Sequence, residues 1–242
     1  MEILIYENKQ ILGENAARIG GELIRKAIID RGKANIIVAT GASQFEMLKA
    51  LVNEDIDWSL VHAFHLDEYI GISEKHSASF RKYLKERFVD IVSPGEFNYI
   101  NGNEDPYEEC VRLGNLISKH PVDVAFVGIG ENSHLAFNDP PADFKTEEAY
   151  IVVNLDKECR LQQMGEGWFP SLNDVPEKAI SMSIMQIMKS KAIICTVPDL
   201  RKAEAVKKTI EGSISPSIPA SIMRNHEAVW LFLDKDSASM LS

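Results

Sequence analysis

Cysteine is scarce in this 242-residue chain: Cys110, Cys159 and Cys195 are the full set, widely spaced and without a Cys-x-x-Cys pair. An odd set at such spacing argues against a disulfide framework or a zinc site and reads as reduced packing residues. No stretch approaches the roughly 18 uninterrupted apolar residues of a membrane-spanning helix. The opening Met1-Glu2-Ile3-Leu4-Ile5-Tyr6 lacks the basic-then-apolar pattern of a secretory leader, so the expected compartment is the cytoplasm. Positive charge is in short supply as well. Twenty-six Lys and Arg against 36 Asp and Glu leave a net charge of −10, which argues against a nucleic-acid surface or an anionic membrane as partner. A few local amides and cations suffice to hold one phosphate, so a small anionic ligand stays open. Low-complexity tracts, internal repeats and linkers are missing too, and one domain spanning residues 1–242 is expected.

What is present is a regular alternation. Hydrophobic residues make up 45% of the chain, enough for a sizeable core. Met1 to Tyr6 reads as an outer strand, and Asn8 to Arg31 as a helix on its apolar spacing, with Gly32 as its stop. Further strands are expected at 34–39, 60–65, 97–100, 122–127, 150–155, 179–182, 192–197 and 228–233. Helical patterns fall at 45–51, 77–89, 106–119, 158–164 and 201–210, the third entered through Asp105 and Pro106. Leu66 to Tyr69 and Gly165 to Pro170 read as loops. Eight or nine strands interleaved with helices predict an α/β fold: a doubly wound, mostly parallel sheet flanked by helices, Rossmann-like in kind.

Two stretches stand out. The run from Gly128 through Glu131, Asn132, Ser133 and His134 to Asn138, Asp139 and Pro140 follows a buried strand. Its glycines allow a sharp turn, and its polar cluster lies where open α/β sheets place their chemistry. Read alone, it is equally a strand exit with incidental polar residues. Thr40-Gly41-Ala42-Ser43 lies between a strand and a helix, an arrangement that points backbone N–H groups at an anion. It is not a Walker loop, and a tight turn without a ligand would look the same. Asp67 and Glu68, just past a strand end, read as a general base or, more commonly, as solvated or capping charges.

Four segments in order resemble the glucosamine-6-phosphate deaminase/isomerase family, related in fold to the 6-phosphogluconolactonases. Thr40-Gly41-Ala42-Ser43 is similar to its Thr-Gly-Gly-Thr/Ser phosphate loop. Asp67-Glu68-Tyr69-Ile70-Gly71, then His76 and Ser79, resembles Asp-Glu-Tyr-x-Gly…His-x-x-Ser-Tyr. The run 128–140 resembles Gly-x-Gly-x-Asp/Asn-Gly-His-Ile-Ala-Phe-Asn-Glu-Pro, and Pro219-Ala220-Ser221-Ile222 with His226 resembles the C-terminal Pro-Ala-Ser-Ile-Leu-x-x-His. Leu135-Ala136-Phe137 and Tyr69 favour the deaminase side over the lactonases. Several positions depart from the pattern: Asn132 for the frequent Asp, Asp139 for Glu, Ser133 for Gly, Phe80 for Tyr. Where the family carries a phosphate-binding Arg before two aromatic residues, this chain has Gly167-Trp168-Phe169.

The resemblance implies conversion of a 2-amino-2-deoxyhexose 6-phosphate and water to a ketohexose 6-phosphate and ammonia, without metal or organic cofactor. Thr40, Gly41, Ala42, Ser43 and Lys202 would anchor the phosphate, with Arg160 the nearest substitute for the missing Arg. His134 would open the ring, Asp139 and Asn132 would orient it, and Asp67 would be the base at C2, with Glu68 a structural or secondary partner counted among the substrate-binding residues. The rivals are a galactosamine 6-phosphate enzyme, a 6-phosphogluconolactonase and a non-catalytic sugar-phosphate sensor. A homo-oligomer is left open.

Overall fold

The computed structural model describes residues 1–242. It contains ten strands: β1 (Glu2–Tyr6), β2 (Ala34–Val38), β3 (Val61–His65), β4 (Asp67–Tyr69), β5 (Glu96–Asn98), β6 (Val124–Val127), β7 (Tyr150–Asn154), β8 (Lys178–Met182), β9 (Ala192–Val197) and β10 (Val229–Asp234). Seven form one sheet in the order β1-β10-β9-β6-β2-β3-β5. Every pairing in it is parallel. The apolar runs of β2 and β9 follow from this position: both strands are buried throughout, because helices cover both faces. Alternate side chains serve opposite cores. Ile37, Ala125, Val127 and Cys195 pack on one face, while Ile36, Val38, Phe126 and Ile194 pack on the other. Each of the larger ones (Ile, Val and Phe), fully buried, contributes roughly 1.5–3 kcal/mol.

Helix α1 (Lys9–Arg31) begins where the side chain of Asn8 accepts the Ile11 N–H, and it ends at Gly32, whose φ of 76° suits glycine. The helix lies tight on the sheet: a methyl group at Gly20 would stand 2.4 Å from the Phe126 ring. The remaining helices are α2 (Phe45–Leu51), α3 (Phe80–Leu84), α4 (Asp90–Val92), α5 (Pro106–Ile117), α6 (Lys157–Gly165), α7 (Ile184–Ile187) and α8 (Ala203–Glu211). None is long and apolar enough to cross a membrane. Asp105 caps α5 by accepting from Tyr107 and Glu108 N–H.

The sheet departs from expectation in one respect. The segments at 150–155 and 179–182 do not join the parallel sheet. They form β7 and β8, which pair antiparallel with β4 in a separate three-stranded sheet, order β4-β8-β7. Asp67 to Tyr69, expected as loop, is therefore a strand. The chain turns aside after β3, and Leu66 C=O accepts the Met182 N–H at 2.8 Å, fixing the angle between the sheets. An aromatic cluster fills that angle, with Tyr69 about equidistant from Phe80 and Phe137 at 5.0 and 5.1 Å between ring centroids. Two helix boundaries also differ. The helix expected from Ser77 starts at Phe80, because the Ser79 side chain accepts the Lys82 N–H, and it passes through a π-helical turn at Lys85–Val89 into α4. Arg201 and Lys202 precede α8, in a 3-10 turn (Leu200–Lys202).

Strand order reverses between β2 and β6. From β2 the chain builds outward through β3 and β5, then returns to place β6 on the other side of β2. Ligands in open α/β sheets bind outside the carboxyl ends of strands at such a point. The Thr40–Ser43 and Gly128–Gly130 loops leave β2 and β6 there, side by side.

Candidate active site

Loops from four neighbouring strands, β3, β2, β6 and β9, converge on one cavity. Its wall includes Thr40, Gly41, Ala42 and Ser43, then Asp67, then Gly128, Gly130 and His134, and finally Lys202. It is a recess open to solvent on one side, with about 490 Å³ of empty space when that open solvent is included. Seven of the ten residues singled out from the sequence thus share one wall. Asn132, Asp139 and Glu68 do not line it.

Asp67 is 6% exposed, and its Oδ1 has no hydrogen-bond partner. Burial, with the Glu68 carboxylate adjacent, pushes its pKa up to about 8. Glu68, expected to touch substrate, instead faces away from the cavity. Its Oε1 accepts from Tyr69 and Phe80 N–H, and its Oε2 from Ser79 Oγ, Arg81 N–H and Arg81 Nε. The carboxylate caps the first N–H groups of α3 alongside Ser79. Burial pushes Glu68 up too, against these donors. Five donors suit a carboxylate and not a protonated acid, so of the pair Glu68 holds the charge and Asp67 the proton.

Behind His134 lies a hydrogen-bonded shelf. Nδ1 of His134 is 3.1 Å from Oδ1 of Asp139, but off-line, so it counts among the buried atoms without a hydrogen bond. Asn132 Nδ2 donates to Asp139 and to Asp156, and Asn132 Oδ1 accepts the His134 N–H. Asp139 Oδ2 accepts the Asp156 N–H. Burial raises the pKa of Asp139, but His134, the Asp156 N–H and Asn132 outweigh it, leaving the carboxyl below its usual range. Asn132 and Asp139 therefore stand behind His134, off the cavity wall. A ring nitrogen of His134, a carboxylate oxygen of Asp139 and the Cys159 thiol lie within 4.8 Å of one another, the one group able to supply three metal ligands. Asp139 is already engaged on both oxygens there.

The backbone makes room for this arrangement. A Cβ on Gly130 would sit 2.2 Å from the His134 ring. Ser133 and Ala136 on either side hold φ of 70° and 54°, a left-handed conformation that costs ordinary residues about 1–2 kcal/mol. Glycine at the family's position 133 is thus explained by the backbone, and Ser133 carries the strain.

Lys202 is 2% exposed, and burial lowers its pKa to about 8. Arg160 does not substitute for the missing family arginine: its guanidinium donates to Leu172 and Val175 C=O and lies outside the wall. The sequence reading missed Glu166, which does line the cavity. Its carboxylate accepts from Gln162 Nε2 and Trp168 Nε1. A single acid between Gly165 and Gly167 was the only local signal.

A family model described as glucosamine-6-phosphate isomerases/6-phosphogluconolactonase matches residues 7–231. The chain belongs to this family. A glucosamine-6-phosphate deaminase of Lacticaseibacillus paracasei is 35% identical over 246 residues, covering 100% of this chain and 99% of its own. One from Clostridium novyi is 35% identical, with both chains fully covered. Among solved structures, a monomeric glucosamine-6-phosphate deaminase superposes with a TM-score of 0.90 at 31% identity, over 99% of this chain and 100% of its own. A 6-phosphogluconolactonase of Trypanosoma brucei superposes at 0.82 with 15% identity, over 100% of this chain and 98% of its own, which shows a shared fold. Within the family the wall residues Asp67 and His134 fall in the motifs that carried the resemblance.

Proposed function

We propose that this chain is a deaminating aldose–ketose isomerase that converts glucosamine 6-phosphate and water to fructose 6-phosphate and ammonia. The observation that carries the reading is a single cavity with a proton-holding Asp67 and His134 on its wall and, beside them, a loop of amides and hydroxyls with a buried lysine. The deaminases similar along the whole chain support the choice of substrate.

The phosphate is held by N–H groups of Gly41 to Ser43, by the hydroxyls of Thr40 and Ser43, and by the Lys202 ammonium, whose charge a dianion reinforces. His134 moves a proton from the anomeric hydroxyl to the ring oxygen, opening the pyranose, a relay for which imidazole, able to accept and to donate, is suited. Asp139 and Asn132 keep the ring aimed. Asp67, ionised, removes the C2 proton of the open-chain aldehyde, giving an enolamine, and returns a proton to C1. The resulting C2 imine takes up water and releases ammonia. Asp67, raised by burial to a pKa of about 8, is mostly protonated near neutrality, so activity rises with pH toward that value. A substrate ammonium beside it shifts the ionisation lower. The test is incubation with glucosamine 6-phosphate, galactosamine 6-phosphate and 6-phosphogluconolactone, measuring ammonia, ketose phosphate and acid. Ammonia and ketose phosphate in equal amounts from glucosamine 6-phosphate are expected. Acid from the lactone with no ammonia from either amino sugar would replace this reading with a lactonase.

A further inference from the structure

The phosphate end of the cavity carries little positive charge. Lys202 is the one cation on its wall, set against the carboxyls of Asp67 and Glu166. A second cation within reach would strengthen the hold on a phosphate dianion. Arg160 is committed elsewhere.

Arg201 is the remaining candidate, and its surroundings are unusual. It adjoins Lys202 in the turn after β9. Its guanidinium lies 3.6 Å from Glu131 Oε1 and 3.5 Å from Glu166 Oε1, with a side chain 35% exposed. Both distances exceed the usual length of a charge-assisted hydrogen bond, so the five N–H donors are held by charge alone. The same guanidinium borders a recess, with Glu131 and Gln162, that meets the cavity at Gln162. The pair it makes with Glu166 reaches directly into the cavity wall.

We propose that Arg201 is the second phosphate cation of this site: an entering phosphate draws it off Glu131 and Glu166 into a paired contact beside Lys202. Two loose contacts to single carboxylate oxygens give way to a fork-shaped contact with a dianion, which favours the exchange. This rests on the phosphate end of the site being read correctly, and the experiment separates the two. Inorganic phosphate binding is measured by calorimetry for the wild type, Arg201→Ala, Arg201→Lys and Lys202→Ala, with KM and kcat for the 6-phosphorylated amino sugar. Arg201→Ala should weaken phosphate by about 10- to 100-fold, the range for one charge-assisted contact. It should raise KM alike and leave kcat within a few-fold, with Arg201→Lys recovering part of the loss. If Arg201 merely braces α6, phosphate affinity stays within about twofold of wild type in Arg201→Ala while Lys202→Ala abolishes it, and the proposal is overturned. Phosphate binding that survives both Arg201→Ala and Lys202→Ala overturns the phosphate site itself.

Discussion

Replacing Asp67 with Asn should remove activity and at the same time make the protein more stable, by an amount that grows with pH. The carboxyl is buried with one oxygen unpartnered, and its pKa stands at about 8 against 3.8 for the free group. A raised carboxyl pKa means that the folded state holds the proton more tightly than the unfolded state. Stability linked to that proton is fully present below about pH 4 and is lost as pH climbs from there through about 8. Each pKa unit corresponds to about 1.4 kcal/mol, so the loss at pH 7 is about 4 kcal/mol at most, and relaxation of the site reduces it. Asn has the same shape and no proton to lose. Urea unfolding at pH 4.5, 7 and 8.5 should therefore give Asp67→Asn an advantage of under about 0.5–1 kcal/mol at the lowest pH and about 1–4 kcal/mol at the upper two. A constant difference across pH, or a variant less stable than wild type at pH 8.5, would refute a buried, proton-holding Asp67.

Three further outcomes follow from the geometry. Gly130→Ala should fold yet lose at least about 100-fold in kcat/KM, because its methyl occupies the space of the His134 ring; near-normal activity would mean that His134 is not needed where it stands. Ser133→Gly should stabilise the protein by about 0.5–1 kcal/mol in chemical denaturation, since it relieves a positive φ and an unpartnered buried hydroxyl, and a loss of stability would contradict the strain. Glu68→Ala should cost about 3–5 kcal/mol by leaving Arg81 and the start of α3 without their acceptor, whereas a variant as stable as wild type with a raised KM would return Glu68 to the substrate site.

What the sequence made legible follows from where the determining forces lie. α1 is set by its own ends, Asn8 and Gly32, and the apolar runs of β2, β6 and β9 follow from burial on both faces, so local pattern suffices for all four. β4 was illegible because Asp67-Glu68-Tyr69 carries no apolar alternation; its extended form comes from pairing with Ala179 to Ser181, more than a hundred residues on. The same distant pairing decides that Glu68 caps a helix while its neighbour faces the cavity. Motif spacing placed Asp67 and His134 on the wall, yet Glu166 and the loose Arg201 only acquire meaning once α6 packs beside the turn after β9.

The measurement that bears most directly on the account is turnover of glucosamine 6-phosphate in deuterated water, with the ketose phosphate product read by proton NMR. A proton moved between C2 and C1 by Asp67 exchanges with solvent, so deuterium should appear at C1, and in Asp67→Asn labelling and ammonia release should fall together by about 10²–10⁴-fold. Ammonia release by Asp67→Asn at near the wild-type rate, or a product formed without any label at C1 in the wild type, would contradict the central role given to Asp67.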